Sequence, residues 1–219
     1  MKKTRLPLLA VIAVMLILTF TACGQSFDPV AYIQGSLDSV FHGEIDEEFV
    51  DSLSDVDSVE EFQAMYDDII DTMTDETFTS AGLSDPDPAL REQLRDAYVS
   101  VFKATKYEVT GEYTGSEDEG YKVEVIAYPL QTFNEVLEDE DGSITAVMEE
   151  KYAADSSMST DDLLAVYVEQ AAAELQEAIA NPTYGEAKTY NLTVALDDDG
   201  VYNVDEDEIA ELTTFLLGE

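Results

Sequence analysis

Thiol and imidazole chemistry each rest on a single residue in this 219-residue chain, which holds one cysteine, Cys23, and one histidine, His42. One cysteine cannot form an intramolecular disulfide. A Ser-His-Asp triad would have to use His42. His42-Gly43 follows a helical pattern, so the histidine reads as a helix C-terminal residue, where a cation also complements the helix dipole. Carboxylates are abundant, with 49 Asp and Glu residues. Close pairs then arise by chance, and pairing alone cannot single out the acid and base of a glycosidase. Asp197-Asp198-Asp199-Gly200 invites a calcium reading. With Gly200 at the sixth position of a helix-loop-helix calcium loop, Asp197 and Asp199 fall at positions three and five and Glu206 at twelve. Position one is then Ala195, where a carboxylate is required. The flanks alternate as strands, and Asp-Gly is a favoured hairpin turn in its own right. Asp197 and Asp199 are metal candidates on these terms only, and Glu117–Gly120 and Asp139–Gly142 raise the same question. No cofactor is expected.

Cys23 has a different context. Lys2, Lys3 and Arg5 open the chain, and an almost unbroken apolar run follows from Leu6 to Phe20. The run falls short of the roughly 20 apolar residues that a spanning helix needs. This is the layout of a secretory leader. Phe20-Thr21-Ala22-Cys23, followed by Gly24, resembles the lipobox of bacterial lipoproteins. The resemblance implies a diacylglyceryl group on the Cys23 thiol and cleavage just before it, with Thr21 and Ala22 as the small residues that the peptidase needs. Phe20 stands where the family usually has Leu. Other readings are an ordinary leader with an unpaired Cys23 thiol, or an uncleaved anchor. Lipidation would leave the mature domain without a free thiol, and a zinc site with one histidine and no cysteine.

Charge narrows the partners. Three of the 10 Lys and Arg residues lie in the leader and all 49 acidic residues lie beyond it, leaving 7 against 49, near −42 for residues 23–219. Nucleic acid and anionic lipid headgroups would both be repelled. Cations, cationic peptides or a basic protein would be attracted. A solvated surface that keeps the domain soluble is the plainer use of such charge.

Helical and strand periods organise the rest. Asp28-Pro29 reads as a cap and first helical residue, before Val30, Ile33, Leu37, Val40 and Phe41. A short helix fits Asp46 to Leu53. Ser58 with Glu61 makes a capping box for a stripe of Phe62, Met65, Tyr66, Ile69, Ile70 and Met73. Asp87-Pro88 starts the next helix, with Leu90, Leu94, Ala97, Tyr98, Val101 and Phe102. The period then drops to two. Tyr107, Val109, Gly111 and Tyr113 alternate with polar residues, as do Tyr121, Val123, Val125 and Ala127, on either side of an acidic turn. Tyr107, Tyr113, Tyr121 and Tyr190 fall on the inward face and Tyr128 on the other. A helical phase runs from about Gln131 to Tyr152, interrupted near Asp141-Gly142. Another follows from Ser159 or Thr160 to Ile179. Tyr190 to Leu196 and Val201 to Val204 form a second hairpin, and Asp205 caps a last helix.

The expected fold is α+β, with about six helices packed on an antiparallel sheet built from the two β-hairpins, after an N-terminal signal peptide. Residues 1–22 are the leader, 23–27 the lipidated cysteine and tether, and 28–219 a single acidic domain. The opening Ala31-Tyr32-Ile33-Gln34-Gly35 through Leu37-Asp38 resembles a family of uncharacterised Gram-positive surface lipoproteins. That resemblance carries over no active-site residue. The expected role is non-enzymatic binding of a small molecule or protein at the extracytoplasmic face of the bacterial membrane. The alternatives are a carboxylate-based cell-wall hydrolase and a structural spacer.

Overall fold

A computed structural model describes residues 20–21, 27–51, 53, 58–117, 119–137, 139, 142–198 and 200–218. Its first element, β1 (Phe20–Thr21), is a two-residue strand. Helix α1 (Pro29–Leu37) begins at Asp28, whose carboxylate accepts the Val30 and Ala31 N–H groups at 3.0 and 3.2 Å. The helical phase continues to the histidine, but its last turn, Asp38–His42, is wound as a π-helix. Gly43 then turns away at φ +63°, a conformation that a side chain would strain. Asp46 caps α2 (Glu47–Val50), within the expected Asp46–Leu53 segment, and Ser58 caps α3 (Val59–Ala81), as the sequence anticipates. Asp87-Pro88 opens α4 (Pro88–Lys103).

The hairpin β2 (Lys106–Ser116) and β3 (Gly120–Tyr128) leads to α5 (Gln131–Leu137) and α6 (Ser143–Ala154). The helical phase from Gln131 is therefore split in two. Asp139, at φ +48°, accepts the Ile144 and Thr145 N–H groups at 3.0 Å each and so starts α6. Next come α7 (Thr160–Ile179), β4 (Lys188–Leu196), β5 (Val201–Val204) and α8 (Glu206–Leu216). Ser159 and Asp162 form a reciprocal capping box for α7, and Asp205 caps α8.

The two hairpins do join into four antiparallel strands, and β1 extends them, giving the order β1-β5-β4-β3-β2. The fifth strand is an addition to the sequence reading, because two residues are too few to show alternation. Register explains the buried face. Val123 lies opposite Leu192, Val125 opposite Tyr190 and Tyr121 opposite Val194, so one face gathers the apolar side chains. Val123, Val125, Ala127, Leu192 and Val194 are fully buried there. Helix α1 packs against β2 and β3, α8 against β3 and β4, and α4 against α3 and α7. One continuous apolar core joins these layers. Lys122, Thr189, Asn191 and Ala195 on the opposite face are exposed.

One tyrosine on the inward face is exposed. Tyr113 is 50 % exposed, although it shares the parity of the core residues. Val109 pairs with Val125 but Tyr113 pairs with Val123, so β2 advances four residues where β3 advances two. The bulge holds Gly111 at φ +78°, and beyond it Tyr113 still lies opposite Val123 with its ring edge-on to Tyr121, on the outermost strand, where solvent reaches it.

Candidate functional site

His42 sits in a polar cluster that several elements assemble. Helix α1 supplies Gln34, the π-turn supplies Asp38 and His42, the start of β2 supplies Tyr107, and the segment after α4 supplies the Thr105 carbonyl. A π-turn carries an extra residue per turn and is frequent at functional sites.

The Tyr107 hydroxyl donates to Asp38 Oδ1 at 2.7 Å, and Gln34 Nε2 donates to Asp38 Oδ2 at 2.7 Å. Both carboxylate oxygens are thereby held, and the side chain is 26 % exposed. Burial, and then the adjacent Asp38 carboxylate, push the Tyr107 phenol far above its ordinary pKa. The phenol keeps its proton at neutral pH and is no base or nucleophile there. The His42 ring stacks on Tyr107, with centroids 5.1 Å apart and planes within 11°.

The histidine tautomer follows from its neighbours. His42 Nε2 lies 3.2 Å from the Thr105 carbonyl oxygen, which can only accept, so Nε2 carries the hydrogen. Nδ1 lies 3.4 Å from the Tyr107 hydroxyl and 3.7 Å from Asp38 Oδ1. A hydrolytic triad needs its acid on one ring nitrogen and a nucleophilic hydroxyl on the other. Here acid and phenol share one side, and a backbone carbonyl occupies the other. The nearby Ser39 hydroxyl donates to Gly35 O at 2.6 Å, inside its own helix. The cluster is a clasp between α1, β2 and the end of α4, rather than a triad. Spacing hinted at half of it, because Gln34, Asp38 and His42 recur every four residues. Tyr107 came from a strand 65 positions beyond His42, which no local pattern shows.

The metal candidate at the second hairpin has an internal use. Asp197 Oδ1 accepts the Val201 N–H at 2.9 Å, and Oδ2 accepts from Asn203 Nδ2 at 2.9 Å. Asp197 therefore closes the β4–β5 turn, and Asp199 lies outside the described residues. Among the described residues, no three His, Cys, Asp or Glu side chains are grouped to hold a metal ion.

Of the four residues that resemble a lipobox, Phe20 and Thr21 form β1, while Ala22 and Cys23 lie outside the described residues. Phe27 is the first described residue after Cys23. Its ring stacks on Tyr202 at 3.7 Å and 7°, beside Tyr32 and Tyr121. Tyr113 meets Tyr121 edge-on at 5.8 Å. Cys23 is thus four residues from an aromatic group at the turn end of the sheet. Among the described residues, no helix is long and apolar enough to cross a membrane.

The fold is similar to the crystal structure of a "putative lipoprotein (ycdA)" from Bacillus subtilis, with a TM-score of 0.55 and 14 % sequence identity. The match covers 84 % of this chain and 54 % of that one, so this chain spans about half the length of its neighbour. At that identity the likeness concerns the α+β fold. No protein-family model and no curated protein matches the chain.

Proposed function

We propose that this chain is a lipoprotein, held at the extracytoplasmic face of a bacterial membrane by a diacylglyceryl group on Cys23. Its acidic α+β domain binds a ligand or protein partner without catalysing a reaction. The observation that carries the reading is the placement of Phe20-Thr21-Ala22-Cys23 directly before a domain whose packing starts at Phe27. The likeness in fold to the Bacillus protein supports it. Two acyl chains hold a protein at a bilayer far better than one. The histidine cluster supplies no Ser-His-Asp triad, because neither ring nitrogen is presented to a nucleophile.

The test is the N-terminus of the membrane-extracted protein. Mass spectrometry should find a chain that starts at a diacylated Cys23, and radiolabelled palmitate should enter it. Cys23→Ala should abolish the label and leave residues 1–22 attached. An unmodified Cys23, or a wild-type chain that retains its leader, refutes the reading.

A further inference from the structure

The two outer edges of the sheet differ. Along β2 the bulge at Thr110–Glu112 breaks the ladder, and Glu108 and Glu112 are exposed beside it. Such an edge resists added strands. The β5 edge is regular. Asp197 N–H donates to Val201 O, and Asp205 N–H donates to Thr193 O, each at 2.9 Å. Val201, Asn203 and Asp205 therefore turn their peptide groups toward β4, and alternation turns those of Tyr202 and Val204 outward, where the Tyr202 carbonyl also accepts from the domain's own Tyr32 hydroxyl at 3.4 Å. There β1 lies antiparallel, with Phe20 opposite Tyr202 and Thr21 opposite Val201. The extended segment Phe20–Thr21 thus sits on this edge, and on the lipoprotein reading it belongs to the leader.

We propose that the outer side of β5, once β1 has left with the leader, takes up an extended segment of a partner protein, apolar at its centre and carrying Lys or Arg at both ends. The inference rests on the lipoprotein reading, because cleavage before Cys23 is what removes β1. Strand addition uses main-chain hydrogen bonds for affinity and leaves side chains to set specificity. Charge selects the occupant here. Asp197 and Asp198 border one end of β5, and Asp205, Glu206 and Asp207 border the other, all exposed. A second copy would oppose these acidic ends to their own kind, on two domains each near −42.

The experiment uses the lipidated protein extracted from membranes in detergent. The probe is a labelled synthetic peptide of alternating valine and threonine with lysines at both ends. Fluorescence anisotropy should show binding to the processed protein, none to uncleaved Cys23→Ala, and none of a glutamate-ended counterpart. Peptide at ten times its Kd should slow exchange of the Tyr202 and Val204 amides about tenfold, the factor set by occupancy. The Asn203 amide, which faces β4, should not change. Asp198→Lys with Glu206→Lys, both at exposed positions, should weaken binding at least about tenfold while leaving the melting curve in place. A correctly cleaved protein that fails to bind the peptide refutes the strand proposal alone. A protein that keeps its leader refutes the lipoprotein reading and this inference with it. A dimer that protects the same amides assigns the edge to a second copy. Protection without peptide or dimer assigns it to residues 23–26. Either result overturns the proposal.

Discussion

Tyr107→Phe isolates one bond of the clasp. The substitution keeps the ring and its stack on His42 and removes the hydroxyl that donates to Asp38 Oδ1 at 2.7 Å. A hydrogen bond to a charged group contributes about 1.5–3 kcal/mol. Asp38 is 26 % exposed and keeps Gln34 on its second oxygen, so water can replace part of the loss. The expected cost is therefore at the lower end, about 1.5 kcal/mol. Urea unfolding followed by circular dichroism should show a lower midpoint with an unchanged slope. Asp38→Asn keeps the shape and removes the charge. The double variant should lose less than the sum of the singles, with a coupling energy near 1 kcal/mol. A Tyr107→Phe midpoint within about 0.5 kcal/mol of wild type, or additive effects, would mean that the clasp contributes nothing measurable.

Tyr66 is 5 % exposed, and its hydroxyl has no hydrogen-bond partner among the described residues. Burial is the main reason its pKa is pushed up to about 12. The unfolded chain ionises near pH 10 and the folded one near 12, so the unfolded state binds fewer protons in between. The associated stability is fully present below pH 10 and is lost as pH rises toward 12, by about 2–3 kcal/mol. Tyr66→Phe should flatten this alkaline limb in a stability–pH series and leave neutral stability equal or higher. Gly35→Ala would gain about 1 kcal/mol of helix propensity, but its Cβ would stand 2.4 Å from the Phe49 ring. Displacing α2 should outweigh the gain and give a net loss of about 1–2 kcal/mol by chemical denaturation. On the α3–α4 face, Arg95 pairs with Asp67 and Asp71, while Arg91 pairs with Asp71 and Asp75. These side chains are partly exposed, so Arg95→Gln should cost about 0.5–1 kcal/mol at low salt and less near 1 M salt, measured by melting at each.

Local chemistry was readable from the sequence wherever neighbours in the chain decide the outcome. Asp28, Ser58, Asp87, Ser159 and Asp205 cap their helices because a short oxygen-bearing side chain satisfies the next free N–H groups. The period of two in β3 and β4 set their buried face. What needed the tertiary structure was every relation between distant segments. Pairing of β3 with β4 merged two hairpins into one sheet, and registry between Val123 and Leu192 is a long-range choice. The bulge ahead of Tyr113 reflects a mismatch between two strands, which neither strand's sequence reveals alone. Tyr107 could meet Asp38 and His42 only after β2 had docked on α1. The sheet edge occupied by β1 was invisible for the same reason, since backbone pairing leaves little trace in side-chain pattern when it spans two residues.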